Sequence, residues 1–107
     1  MRSHNLTLRL YKLTKDLPKT ETYGIISQLR RAAASVPTNI AEGCGRLSNK
    51  DTARFIVIAQ GSLLEVEYLV LLSFELEYII KEEYEYLDKE INEIKAMMYN
   101  YHKRLVS

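Results

Sequence analysis

The sequence predicts an all-α fold, an up-and-down antiparallel four-helix bundle, on three observations. Only four Gly and two Pro occur in 107 residues, so the chain has few places to turn and its elements must be long. Apolar residues recur at helical spacing along four successive stretches. No internal repeat, low-complexity tract or linker separates those stretches, so residues 1–107 should form one domain whose short connections suit antiparallel neighbours. A domain of this size buries about two-thirds of its unfolded surface and can fold without staples.

Leu6, Leu10, Leu13 and Leu17 are spaced 4, 3 and 4, the stripe of a short amphipathic first helix. Pro18 ends it, because the residue before a proline is pushed out of the α region. Thr20 or Thr22 can cap a second helix, from about Thr22 to Glu42, that buries Ile25, Ile26, Leu29, Ala32, Ala33, Val36 and Ile40. Pro37 lies inside this pattern and removes one backbone hydrogen bond. A kink is expected there, not a stop, because the apolar spacing resumes at Ile40. Gly43-Cys44-Gly45 reads as a terminator in which glycine adopts a left-handed cap.

Ser48 followed by Asp51 has the spacing of an N-cap with an acidic third residue, so a third helix begins there. From Phe55 to about Ile80 it is apolar on nearly every side and must contact protein all round, from its own chain or from another subunit. The last helix, about Lys81 to Leu105, carries Tyr84, Leu87, Ile91, Ile94, Met98, Tyr101 and Leu105 in unbroken steps of 3 and 4. That is the seam of coiled-coil-like packing.

The net charge is +1, yet the two halves differ. Residues 1–50 hold nine Lys/Arg against three Asp/Glu, and residues 51–107 hold six against eleven. Such a split serves intramolecular attraction, complementary subunit surfaces, or a basic face for an anionic ligand. The single cysteine, Cys44, cannot form an internal disulfide, and Met1 to Leu10 lacks the apolar core of a signal peptide. Uninterrupted apolar runs such as Leu69 to Leu72 fall far short of the ~20 residues of a membrane span. A cytoplasmic protein with no membrane segment is expected.

Catalytic and metal chemistry find no support in the spacing. Di-iron bundles need Glu-x-x-His pairs, but the residues three before His4 and His102 are Met1 and Tyr99. One Cys and two distant His give no zinc spacing. Cys44 has no nearby histidine, and Ser62 lacks the strand-turn-helix setting of a nucleophile elbow. No cofactor is expected.

Two sets of polar residues stand out. Arg30, at the edge of the second helix's apolar arc, is a candidate to pair with Glu65, which lies ~160° round the third helix from Glu67. The pair would sit in the interior or across a subunit contact, the alternative being that both side chains snorkel to solvent. Arg9, Lys12, Lys15, Arg31, Arg46, Lys50 and Arg54 are candidates for a phosphate-binding face. Arg46 is also placed to pair with Glu42 at i, i+4.

The stretch from Gln28 to Arg46, QLRRAAASVPTNIAEGCGR, followed by FIVIAQGSLLEVE from Phe55 to Glu67, closely resembles the small bacterial four-helix-bundle proteins encoded within 23S ribosomal RNA intervening sequences. The accessory variability determinant proteins of diversity-generating retroelements look like relatives. The resemblance covers roughly Tyr11 to Tyr101. It implies a protomer that assembles into a ring-shaped homopentamer, an accessory protein that associates with nucleic acid or a protein partner and has no activity of its own. It marks Arg30, Arg31, Pro37, Asn39, Glu42, Gly43, Arg46, Gly61, Ser62 and Glu65 as motif positions. Two departures stand out. The family's first helix usually begins earlier, and Glu77 occupies a place where the family often has glycine. The expected function is therefore that of a non-enzymatic oligomeric accessory protein binding RNA or DNA through its basic surface. The alternative is a scaffold for a partner such as a reverse transcriptase or a ribosomal component.

Overall fold

The computed structural model describes residues 1–107 and contains four α-helices: α1 (Arg2–Thr14), α2 (Ser27–Cys44), α3 (Asn49–Glu75) and α4 (Lys81–Val106). Each packs against its sequence neighbour, and α4 closes the bundle lightly against α1. The result is a rod of 43 × 24 × 18 Å. Its core is one cluster that includes Leu6, Leu10, Leu29, Val36, Ile56, Leu63, Val66, Leu87, Ile91 and Ile94. The 3, 4 seam of α4 is realised, with Leu87, Ile91, Ile94 and Met98 buried and Tyr84, Tyr101 and Leu105 packed at its edges.

The ends of α1 and α2 differ from expectation: α1 stops at Thr14, before Leu17 and Pro18. Neither Thr20 nor Thr22 caps α2; the Thr22 hydroxyl donates back to the Lys19 carbonyl at 2.7 Å. The chain enters through a 3-10 turn (Lys19–Glu21) and a wider π-type turn (Thr22–Ile26) broken at Gly24, whose φ of −105° and ψ of −111° are not helical. A Cβ at Gly24 would lie 2.8 Å from Glu21 Oε1, the carboxylate that accepts a 2.8 Å hydrogen bond from the Tyr78 hydroxyl. The glycines after α2 also act differently from a left-handed cap, because no glycine has positive φ. Gly45 ends the helix at φ −87°, ψ 0°. Gly43 is buried where α2 crosses α3, and a Cβ there would sit 3.0 Å from Phe55 Cβ and 3.3 Å from the Thr52 carbonyl oxygen. Thr52 seals the crossing by donating to the Gly43 carbonyl at 2.9 Å.

Ser48 caps α3 as expected, its hydroxyl accepting from the Asp51 amide at 3.1 Å. The helix ends at Glu75, five residues before the expected Ile80. Tyr78 donates its backbone N–H to Ser73 at 2.8 Å and Glu77 to Phe74 at 2.9 Å, the paired bonds of a Schellman stop. Glu77 holds its left-handed position, at φ +66°. The stop geometry that glycine favours is thus kept by a residue with a Cβ, at a cost of about 1–2 kcal/mol.

Pro37 lies within α2, which continues to Cys44. The acceptor it leaves without a helical donor is the Ala33 carbonyl, four residues back. The Thr7 hydroxyl of α1 lies 2.9 Å from that oxygen and 2.8 Å from the Ser3 carbonyl. With its one proton shared between the two carbonyls, Thr7 partly offsets in α1 the donor that Pro37 removes from α2.

Two stability tests follow by denaturant unfolding. Glu77→Gly should stabilise the fold by about 1 kcal/mol through relief of left-handed strain, less the entropy glycine adds to the unfolded chain; destabilisation would contradict the assignment. Thr7→Val should cost about 1 kcal/mol. That cost should shrink in a Pro37→Ala background, where the restored backbone N–H can donate to the Ala33 carbonyl, and equal costs in both backgrounds would remove the proposed coupling.

Candidate functional site

The seven basic candidates do not form one face. Thr7 is level with Ala33. Lys12 and Lys15 therefore lie toward the α3–α4 turn, and Arg46, Lys50 and Arg54 toward the opposite end. At 1.5 Å rise per residue the two groups are roughly 25 Å apart along the bundle. Arg31 is two residues from Ala33, ~3 Å along the axis, and so lies between the two groups, nearer to Lys12 and Lys15.

Pairing divides the set further. Arg9 Nε and Nη2 donate to the two Glu83 carboxylate oxygens at 2.9 and 2.7 Å, and its guanidinium lies 3.8 Å from the Tyr86 ring centroid. The hydrogen bond to Glu83 raises its pKa further, so the charge is permanent but spent on α4. Arg2 likewise meets Glu93. Part of the charge asymmetry is thus internal attraction between α1 and α4.

At the far end, Arg46 meets Glu42 at 3.2 Å, as its i, i+4 spacing suggested, and Asp51 at 3.8 Å. Arg54 meets Asp51 at 3.0 Å. Both guanidinium groups cover the Phe55 ring, at 4.5 and 4.7 Å from its centroid. Three cations, Arg46, Lys50 and Arg54, face two carboxylates here, so one positive charge is in surplus. Lys12, Lys15, Arg31 and Lys50 make no ion pair and stand at the surface.

The expected Arg30–Glu65 pair does not form within the protomer. Arg30 Nε donates to the Thr14 hydroxyl at 2.8 Å and Nη2 to the Tyr11 carbonyl at 3.2 Å, with the guanidinium 4.8 Å from the Tyr11 ring centroid. Its apolar-edge position turns it toward the end of α1, where neutral acceptors are waiting. Glu65 is exposed on the far side of α3.

Glu65 there belongs to a surface that residue-by-residue reading foresaw only as general greasiness. Val57, Ile58, Leu64, Tyr68 and Leu71 lie on the outer face of α3, all at least 37% exposed. Their spacing makes one continuous helical stripe. Gly61 lies in its middle, and a Cβ there would meet nothing within 4 Å. Nothing inside the protomer explains a glycine that costs the helix about 1 kcal/mol relative to alanine. On the adjacent edge, Ser35 and Ser62 hydroxyls share a 2.8 Å hydrogen bond and the Asn39 amide donates to Ser35 Oγ at 3.0 Å. The Ser35–Ser62 bond ties α2 to α3, and Asn39 holds Ser35 in place for it.

By length and composition α3 could cross a membrane, which counting unbroken apolar runs did not reveal. The same composition arises when one face fills a bundle core and the other carries an apolar stripe. The structure contains no group of three or more His, Cys, Asp or Glu able to hold a metal ion.

Over residues 1–100 the sequence matches the profile of the 23S rRNA-intervening sequence proteins. The chain belongs to that family. The bundle of this 23S rRNA-intervening sequence protein is similar to the crystal structure of a protein with unknown function from the S23 ribosomal protein family of Bacteroides thetaiotaomicron VPI-5482. The TM-score is 0.85 and the identity 26%, over 95% of each chain. No curated protein matches the sequence.

The two halves of the predicted ion pair now have different expected worth. Glu65→Gln should change unfolding free energy by less than about 0.5 kcal/mol. Arg30→Ala should cost about 1–2 kcal/mol through its lost bonds to Thr14 and Tyr11 and its ring contact. Equal, large losses for both variants would restore the pair.

Proposed function

We propose that this 23S rRNA-intervening sequence protein is a non-enzymatic accessory protein of the cytoplasm that assembles into a homo-oligomer, a pentameric ring, and binds RNA or DNA through its basic surface. The observation that carries this reading is the exposed stripe on α3 with Gly61 at its centre. An apolar face of this kind marks a contact surface, and a glycine with free space above it suits close approach by a neighbouring backbone.

Assembly compensates for the modest charge of one protomer. Lys12, Lys15, Arg31 and Lys50 would recur around a ring, and repetition raises avidity without new contacts. Arg46 and Arg54, balanced by Glu42 and Asp51, would add no net charge beyond that of Lys50. A second reading, a scaffold for a reverse transcriptase or ribosomal component, is favoured by the carboxylates that occupy Arg9, Arg46 and Arg54.

Gel-shift titration with single-stranded and ribosomal RNA at two salt concentrations separates the readings. Nucleic-acid binding predicts a log–log salt slope of about −0.7 per phosphate contact on single strands. Arg31→Glu with Lys50→Glu should reduce that slope while light scattering shows the assembly intact. Gly61→Leu should abolish assembly, lower RNA affinity and leave the protomer's helicity unchanged. No RNA binding at low salt by an intact oligomer would leave the scaffold, and a wild-type monomer would end both.

A further inference from the structure

One end of the bundle, where α1 begins and α4 finishes, holds a cleft of ≈ 660 Å³. Its floor is apolar, made by Ile40, Ile56, Ile94, Met98 and Tyr101. Lys103 and Arg104 stand among its walls, and no acidic side chain lines it. Arg2, also in the lining, is held by Glu93. Lys103 and Arg104 make no ion pair and are exposed.

Ser3 gives the cleft a polar anchor. It is 2% exposed, lines the cleft, and its hydroxyl has no hydrogen-bond partner. A buried hydroxyl left unpaired forfeits its hydration with no compensation, so an orphan at a cleft wall marks a place where a ligand can accept a bond. The first turn of α1 adds to this, because its N–H groups have no helical acceptor and its dipole favours negative charge. A concave, mainly apolar site of this volume with a few convergent polar groups has the general form of a small-molecule pocket.

The geometry points to a binding site for a single-tailed amphipathic anion, an aliphatic chain ending in one carboxylate. The tail lies over Ile40, Ile56, Ile94 and Met98. The Ser3 hydroxyl, sealed against the cleft wall, turns about χ1 to donate to the carboxylate, which Lys103 and Arg104 neutralise. None of the α3 stripe residues Val57, Ile58, Leu64, Tyr68 or Leu71 lines the cleft, so the site is independent of assembly through that face.

Dodecanoate, titrated below its micelle concentration into the full chain by calorimetry, should bind saturably at one per chain and raise the melting temperature. Lys103→Gln with Arg104→Gln, both exposed in the last turn of α4, should weaken binding about tenfold or more. Ser3→Leu, which fills the anchor with an apolar group, should abolish binding while cooperative melting is retained. Dodecyltrimethylammonium and inorganic phosphate, supplying tail or anion alone, should each bind at least about tenfold more weakly. Absence of saturable dodecanoate binding, equal binding of either control, or undiminished binding by the charge-neutralised variant would overturn the site.

Discussion

The structure depends on the demand that α3 be apolar on two sides. Its inner face supplies Ile56, Ala59, Leu63, Val66 and Val70 to the core between α2 and α4. Its outer face repeats the pattern without a partner inside the chain. Each buried Leu, Ile or Val side chain contributes about 1.5–3 kcal/mol relative to exposure, which explains why the inner face holds the bundle. The same arithmetic makes the outer face a standing free-energy gain for whatever covers it.

Local rules are broken at four places, and three of the breaches serve the fold. Pro37 strips a donor from α2, and Thr7 of α1 supplies a hydroxyl to the stranded carbonyl. Gly43 gives up helix propensity so that α2 and α3 can approach at Phe55 and Thr52. Glu77 accepts a left-handed backbone so that α3 can stop and turn into α4. Gly61 is the exception, because its missing side chain is used by nothing within the protomer.

The elements were legible in the sequence wherever one face alone is apolar. The α4 seam could be read residue by residue for that reason, and the Ser48 cap because its signal is local. The end of α3 was not legible, since Leu76, Ile79 and Ile80 continue the apolar composition past the Schellman turn. The break at Gly24 was hidden for a different reason: the space a side chain there would need is taken by Glu21, which is held by Tyr78 from across the chain. The candidate site was less legible than the fold. Basic residues could be counted, but the destinations of Arg9 and Arg30 depend on which helix end or carboxylate lies opposite, and periodicity carries no such information. The Ser3 cleft likewise exists only once the ends of α1 and α4 are brought together.

Charge and apolar surface thus divide the work: Arg2 and Arg9 are neutralised by α4 and Arg46 by Glu42 and Asp51, whereas the outer α3 stripe has no partner within the chain and stays 37% or more exposed. Sedimentation equilibrium of the wild-type chain over a range of concentrations is the most direct test of that division. One species at a multiple of the 12.4 kDa protomer mass is predicted, with the amides and side chains of the α3 stripe protected from solvent. A 12.4 kDa particle at every concentration, with Tyr68 freely accessible, would contradict it.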